Sequence, residues 1–341
     1  MAANPPLALI VGCSGKSLTA EERALFRDQN PLGFILFAHN VETPDQVRAL
    51  VESLRDTVGR ADAPVLIDQE GGRVRRLKPP HWFDAPSAAT LSHAKDPERA
   101  CWLSARLIAD DLQSLGITVD CAPVLDVPQP GADPIIGDRA FGTTPETISR
   151  LGRAVMEGLL AGGVLPVIKH IPGHGRAEAD SHKELPIVGA DRATLEAIDI
   201  PPFQALADAP LAMTAHVVYE AYDKTAPATT SPTVINQVIR GLCGFEGLLI
   251  SDDLAMEALE GDLSERARAV LLGGCDLVLY CNTEFKGLDT VRAVAEACQP
   301  MTALALERHE RAERARRAGL QAGADWDREQ GLADLNSLLG R

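Results

Sequence analysis

A chain of 341 residues can bury a substantial core and is near the length of one barrel domain with insertions, and its 33 Lys plus Arg against 48 Asp plus Glu leave a formal charge of -15. That acidic balance argues against nucleic acid and against an anionic membrane surface as partners, and the short basic cluster Arg73, Arg75, Arg76, Lys78 does not reverse it. Seven cysteines, an odd number with no CxxC or Cys/His metal spacing, fit a reducing compartment better than a disulfide framework.

The N-terminus carries no basic n-region, and its apolar run from Leu7 to Val11 is too short for a signal sequence or a membrane span, so it reads as the first strand. No segment approaches the length of an uninterrupted membrane span, which makes a cytoplasmic protein the expectation. Apolar runs then recur as LALIVG near residue 7, GFILF near 33, PVLI near 64 and TVDCAPV near 118. LPVI near 165, APLAMTA near 209, GLLIS near 247 and CDLVLY near 275 follow. Eight such runs alternating with helical segments predict a single (β/α)8 TIM barrel over residues 1–341. An open, doubly wound sheet is the alternative, but VGCSGK after the first run lacks the spacing of either phosphate-binding glycine motif.

Between the strands, Thr19-Ala-Glu-Glu22 and Thr43-Pro-Asp-Gln46 both read as capping boxes that start helices, the second with Pro at the first helical position. Val47, Leu50, Val51 and Leu54 recur at helical spacing and give one face to pack on the barrel wall. The Pro/Gly-rich stretch from Val127 to Pro134 is expected to be a long loop over the barrel mouth. From about Met301 to Leu320 the mixed charges predict a helix with a solvated face.

The stretch Leu165 to His182, LPVIKHIPGHGRAEADSH, passes from an apolar run into a loop crowded with groups that can move protons. Lys169 and His170 end the strand, and Pro172, Gly173 and Gly175 force irregular backbone that carries His174, Asp180 and His182. Barrels place their chemistry at such strand tips. The same position holds Asp68 in LIDQEGGRV, Asp126 after CAPVL, His216 after MTA and Asp252-Asp253 after LLIS. A lone Asp after a strand is most often an N-cap or turn residue, and that reading applies to Asp126 and Asp253. Asp252, projecting from a buried strand, has the rigid support a nucleophile or charge stabiliser needs. Asp180, two residues before His182, can orient the imidazole as a partner does for a general acid or base. Lys169, His170, Arg139 and Asp68 are the right groups to grip hydroxyls and an amide, while Gly71 and Gly72 let backbone approach a ligand closely. Arg139 could equally pair with its neighbour Asp138 in a loop salt bridge.

The motifs IDQEGGRV (Ile67 to Val74), IGDRAFG (Ile136 to Gly142), KHIPGHG (Lys169 to Gly175), DSH (Asp180 to His182) and SDDLAMEAL (Ser251 to Leu259), in that order, resemble those of glycoside hydrolase family 3 β-N-acetylhexosaminidases of bacterial cell-wall recycling. The resemblance spans nearly the whole chain. It departs only at Ile171, where Phe is common, and at Ala255, where another small residue often stands. It implies a barrel that removes terminal β-linked N-acetylglucosamine with retention, from a small muropeptide or disaccharide, through a covalent intermediate on Asp252. It further implies His182 as acid/base, Asp180 as its partner, and Asp68, Arg76, Arg139, Lys169 and His170 around the sugar, with no cofactor and no metal. A His-Asp pair on a loop departs from the usual retaining arrangement of two carboxylates about 5 to 5.5 Å apart.

Three rivals share these residues. A metal-dependent hydrolase could use His170, His174, His182 and Asp252 around a divalent ion, although HxxxH on a Gly/Pro-rich loop lacks the fixed face of a helix. A non-catalytic sugar-binding protein could use the same cavity. A phosphorylase on the same fold could let phosphate resolve the intermediate, because a neutral imidazole repels an anion less than a carboxylate does. The sequence leaves the oligomeric state open.

Overall fold

The computed structural model describes residues 5–282 and 287–341. Eight strands form a closed parallel barrel: β1 (Leu7–Gly12), β2 (Pro31–Leu36), β3 (Val65–Ile67), β4 (Val119–Asp120), β5 (Leu165–Ile171), β6 (Leu211–Thr214), β7 (Leu248–Asp253) and β8 (Leu277–Tyr280). Each of the eight apolar runs supplies one strand, neighbours follow in chain order, and β8 closes against β1 with Ile10 opposite Leu279. A pair of two-residue strands, Ile187–Val188 and Val218–Tyr219, lies outside the barrel.

Successive side chains of a strand face opposite ways, and both faces here are buried. Ile10, Leu66, Val119, Val167, Ile250 and Leu279 fill the barrel interior. Their neighbours Leu9, Ile67, Ile168, Leu249 and Val278 pack outward in a second core, which Val47, Leu50, Val51 and Leu54 of the helix Pro44–Val58 help to form.

The cap at Thr19 is complete, with the Glu22 N–H donating to Thr19 Oγ1 at 3.1 Å and the Thr19 N–H donating to Glu22 Oε2 at 2.9 Å. At Thr43 only half of the expected box forms. The Gln46 N–H reaches Thr43 Oγ1 at 3.3 Å, but the Gln46 side chain accepts from the Glu42 N–H and donates to Lys16 O at 2.7 Å and Asn40 O at 3.0 Å. The Glu42 N–H takes the amide oxygen that the box would offer to the Thr43 N–H, and the two carbonyls hold the amide nitrogen.

The helix Ala303–Ala322 has, besides its expected solvated face, a docked one on which Arg308 and Glu313 are buried. Arg308 donates to Asp276 at 2.9 Å, and Asp276 also takes Arg240 and the Leu249 N–H, each at 2.9 Å. A mixed-charge sequence therefore conceals one docked face whose charges are paired. Among the described residues, no helix is long and apolar enough to cross a membrane.

Candidate active site

The C-terminal ends of β3, β5 and β7, with the loops beyond them, enclose a cavity of about 590 Å³. Lys169 and His170 are consecutive, yet both line it, because the register of β5 against β6 shifts between Lys169 and Ile171. Lys169 Nζ lies 3.0 Å from Asp68 Oδ1 and 2.7 Å from Glu70 Oε1. Arg76 holds the other oxygen of Asp68 at 3.0 Å, and Arg139 grips Glu70 with two bonds of 2.8 Å. Burial opposes the charge on Glu70, but Lys169 and Arg139 outweigh it and hold the carboxyl down at about 2. Asp68 is likewise held below its ordinary range, against burial, by Lys169 and Arg76.

Arg139 does not pair with Asp138, which goes instead to Arg73 at 2.8 Å. Nor do Gly71 and Gly72 open backbone toward the cavity. Both have positive φ, and a Cβ on Gly71 would lie 2.2 Å from Pro86 O while one on Gly72 would lie 2.6 Å from Ser87 Cβ. They are needed where the segment around Pro86 crosses the loop, the close approach that only glycine tolerates.

Asp126 exceeds the turn role expected of it. Its Oδ1 accepts the N–H groups of His170 at 3.2 Å and His174 at 2.6 Å, and its Oδ2 accepts from His170 Nδ1 at 2.6 Å. Burial is outweighed by His170, leaving Asp126 at about 2. With Nδ1 fixed in this way, the other nitrogen of His170 has no protein partner among the described residues and is available to a ligand. Asp253 keeps the bland role, accepting from Ala255 N at 3.1 Å and Cys281 N at 3.0 Å. So does His216, which is buried between Thr229 at 2.7 Å and Asp253 O at 3.0 Å.

Asp252 is half-buried at the tip of β7 and lines the cavity. Its Oδ1 accepts the Asp253 N–H at 2.8 Å, and Oδ2 has no protein partner among the described residues. Burial would raise its carboxyl, but the nearby His216 and His170 hold it below its ordinary range, so it is ionised at neutral pH. On the loop after β5, Asp180 Oδ1 accepts both the N–H and Nδ1 of His182, at 3.0 and 2.8 Å. His182 faces the same cavity as Asp252.

Residues 9–325 match the glycosyl hydrolase family 3 N-terminal domain. The chain belongs to that family. A β-hexosaminidase of Alkalilimnicola ehrlichii is 41% identical over 282 residues, 80% of each chain. The crystal structure of NagZ from Neisseria gonorrhoeae in complex with N-trifluoroacetyl-D-glucosamine is 31% identical with a TM-score of 0.84, covering 98% of this chain and 99% of that one. A family 3 β-N-acetylglucosaminidase from Paenibacillus sp. str. FPU-7 has 31% identity and a TM-score of 0.79 over 93% of this chain, which spans 61% of that longer one. Like its curated relatives, this protein is a glycoside hydrolase of the β-N-acetylhexosaminidase type.

The family motifs and the cavity wall coincide. Asp68, Arg76, Arg139, Lys169, His170, His182 and Asp252 all line one space, with Asp180 directly behind His182. Two contributors, Glu70 and Gln69, escape the sequence reading, and a third, Asp126, has only a turn role in it. Glu70 joins Lys169 to Arg139; Asp126 orients His170; Gln69 accepts the N–H groups of Arg76 and Leu77 at 2.8 and 3.0 Å, fixing the turn that aims Arg76. The alternation in Asp68-Gln69-Glu70 was the available signal for Glu70, because residues two apart at a strand end share a face.

Proposed function

We propose that this hydrolase is a retaining exo-β-N-acetylglucosaminidase that acts in the cytoplasm on peptidoglycan-derived muropeptides or disaccharides, with residues 1–341 forming one catalytic unit. The observation that carries this reading is that Asp252 and the His182–Asp180 pair, brought from β7 and from the loop after β5, open on the same cavity. The cavity is of the size that encloses a small ligand.

In this reading Asp252, ionised and backed by the Asp253 N–H, attacks the anomeric carbon. His182 gives its proton to the departing oxygen, and the resulting covalent glycosyl ester is then hydrolysed by a water whose proton His182 takes. Asp180 holds the Nδ1 side of the ring, leaving the other nitrogen to exchange that proton. The bound sugar sits against Asp68, Arg76, Arg139, Lys169 and His170. Lys169 spends two of its three N–H donors on Asp68 and Glu70, so one remains for a hydroxyl.

A panel of aryl β-glycosides of GlcNAc, GalNAc and glucose tests the sugar. The expected order puts GlcNAc first, and equal turnover of glucose would contradict the N-acetyl requirement. Product analysis in phosphate buffer separates free GlcNAc from GlcNAc 1-phosphate, and activity after exhaustive chelation is expected to be retained.

A further inference from the structure

The family relationship accounts for Asp180 and His182 but not for what holds them. Among the described residues, only one hydrogen bond leaves the segment 178–185, and it joins Ser181 Oγ and His174 Nε2 at 3.1 Å. Every other bond of that segment is internal, including Asp180 to His182 and the Asp180 carbonyl to the N–H groups of Lys183 and Glu184. Ser181, between the two residues that carry the proton chemistry, is buried, whereas His182 beside it is exposed.

His174 is itself anchored to the barrel. Its N–H donates to Asp126 Oδ1 at 2.6 Å, its ring meets that of His170 edge-on with centroids 5.8 Å apart, and it is buried. The root of the loop is pinned around it: Tyr219 donates to Gly173 O at 2.8 Å, Arg176 donates to Asp199 at 2.6 and 2.8 Å, and Gln129 and Asp133 donate to Gly175 O and Ala177 O, both at 2.9 Å. Imidazole Nδ1 of His174 is buried without a partner among the described residues, so the tautomer that strands no N–H carries its proton on Nε2 and donates to Ser181. Burial disfavours the charged ring, which agrees with a neutral donor.

We propose that His174 and Ser181 are positioning residues for the acid/base: the bond between them seats the tip of the loop so that His182 stands over Asp252. The proposal rests on the reading of His182 given above. Asp126 then serves two ends, fixing the sugar-facing His170 through its side chain and the seat of His182 through the backbone of His174.

The test compares kcat/KM for phenyl and 2,4-dinitrophenyl β-GlcNAc glycosides, because kcat/KM reports events through glycosidic cleavage and only the poorer leaving group needs a proton. His182→Ala is the control, and if it loses equally on both substrates, the acid role itself fails and the proposal with it. Given a leaving-group-selective control, Ser181→Ala is expected to lose about 10-fold or more on the phenyl glycoside and less than about 3-fold on the dinitrophenyl one. Added to His182→Ala, it should change neither substrate by more than about 2-fold, the non-additivity expected when one residue acts through the other. His174→Leu, which has no N–H to offer Ser181, should follow Ser181→Ala. Unchanged phenyl activity in Ser181→Ala, equal losses on both substrates, a full further loss on top of His182→Ala, or collapse of the thermal transition in both Ser181→Ala and His174→Leu would each overturn the proposal.

Discussion

The floor of the cavity and the loop that overhangs it are held in opposite ways. Lys169, with 3% of its side chain exposed, is gripped by two carboxylates at 3.0 and 2.7 Å that are gripped in turn by Arg76 and Arg139, whereas His182, 60% exposed, is held through Asp180 two residues away. Charges taken out of water must be partnered, and a network that satisfies them all becomes rigid. A group that serves first the leaving oxygen and then water gains from being able to move. Under the proposed roles, the contrast teaches that the sugar side would be built before substrate arrives, while proton transfer would depend on one tethered tip.

Four substitutions sharpen or break that contrast. Asp252→Asn belongs to the rigid side and should lower kcat by roughly 10⁴-fold or more on every aryl glycoside while leaving the fold intact, which steady-state rates and thermal unfolding read together. Glu70→Gln removes one member of the buried network and should cost about 3–5 kcal/mol in urea unfolding, because Lys169 and Arg139 are left short of a counter-charge. Since the Glu70 carboxyl falls from 4.5 to about 2 on folding, its contribution is full above pH 4.5 and is lost as pH drops through about 2, so wild type and variant should converge in acid. A loss below about 1 kcal/mol at neutral pH would mean that the floor is not held by its charges.

Asp180→Asn acts on the overhanging side. A loss of about 100-fold on the phenyl glycoside with a nearly unchanged thermal midpoint is expected, and a large drop in stability would show that the loop is part of the scaffold. The smallest effect is expected behind the barrel wall at Asp120, where burial pushes the carboxyl up to about 7 and one oxygen has no partner among the described residues. The folded state prefers that group neutral, so its stabilising proton is fully present below about pH 3.8 and lost as pH rises through about 7. Asp120→Asn should therefore unfold a few degrees above wild type near pH 8, with the gap closing toward pH 4.

The barrel was legible because each strand is an apolar run bounded by turn or helix signals, and so were Asp252, Asp180 and His182 as polar residues where an apolar strand or its loop ends. What stayed hidden was partner choice. Arg139 had Asp138 beside it, yet it bonds Glu70, 69 positions away; Asp126 reads locally as a turn residue until β5 brings His170 to it from 44 positions away. Propensity and spacing act within a few residues, whereas these pairs are set by which strands lie side by side. The same limit explains the tail helix, whose buried Arg308 is indistinguishable in sequence from its exposed neighbours until Asp276 is placed under it.

The most direct test is the intact mass of the protein after incubation with an activated 5-fluoro-GlcNAc glycoside, in which fluorine slows both bond-making steps and leaving-group activation lets the first outrun the second. The account predicts the mass of one fluoro-sugar added to the chain, on the peptide that contains Asp252, and none on Asp252→Asn. An unmodified protein that nonetheless releases β-configured product would place the nucleophile on the substrate's own acetamide, and an adduct on any other residue would contradict the role of Asp252.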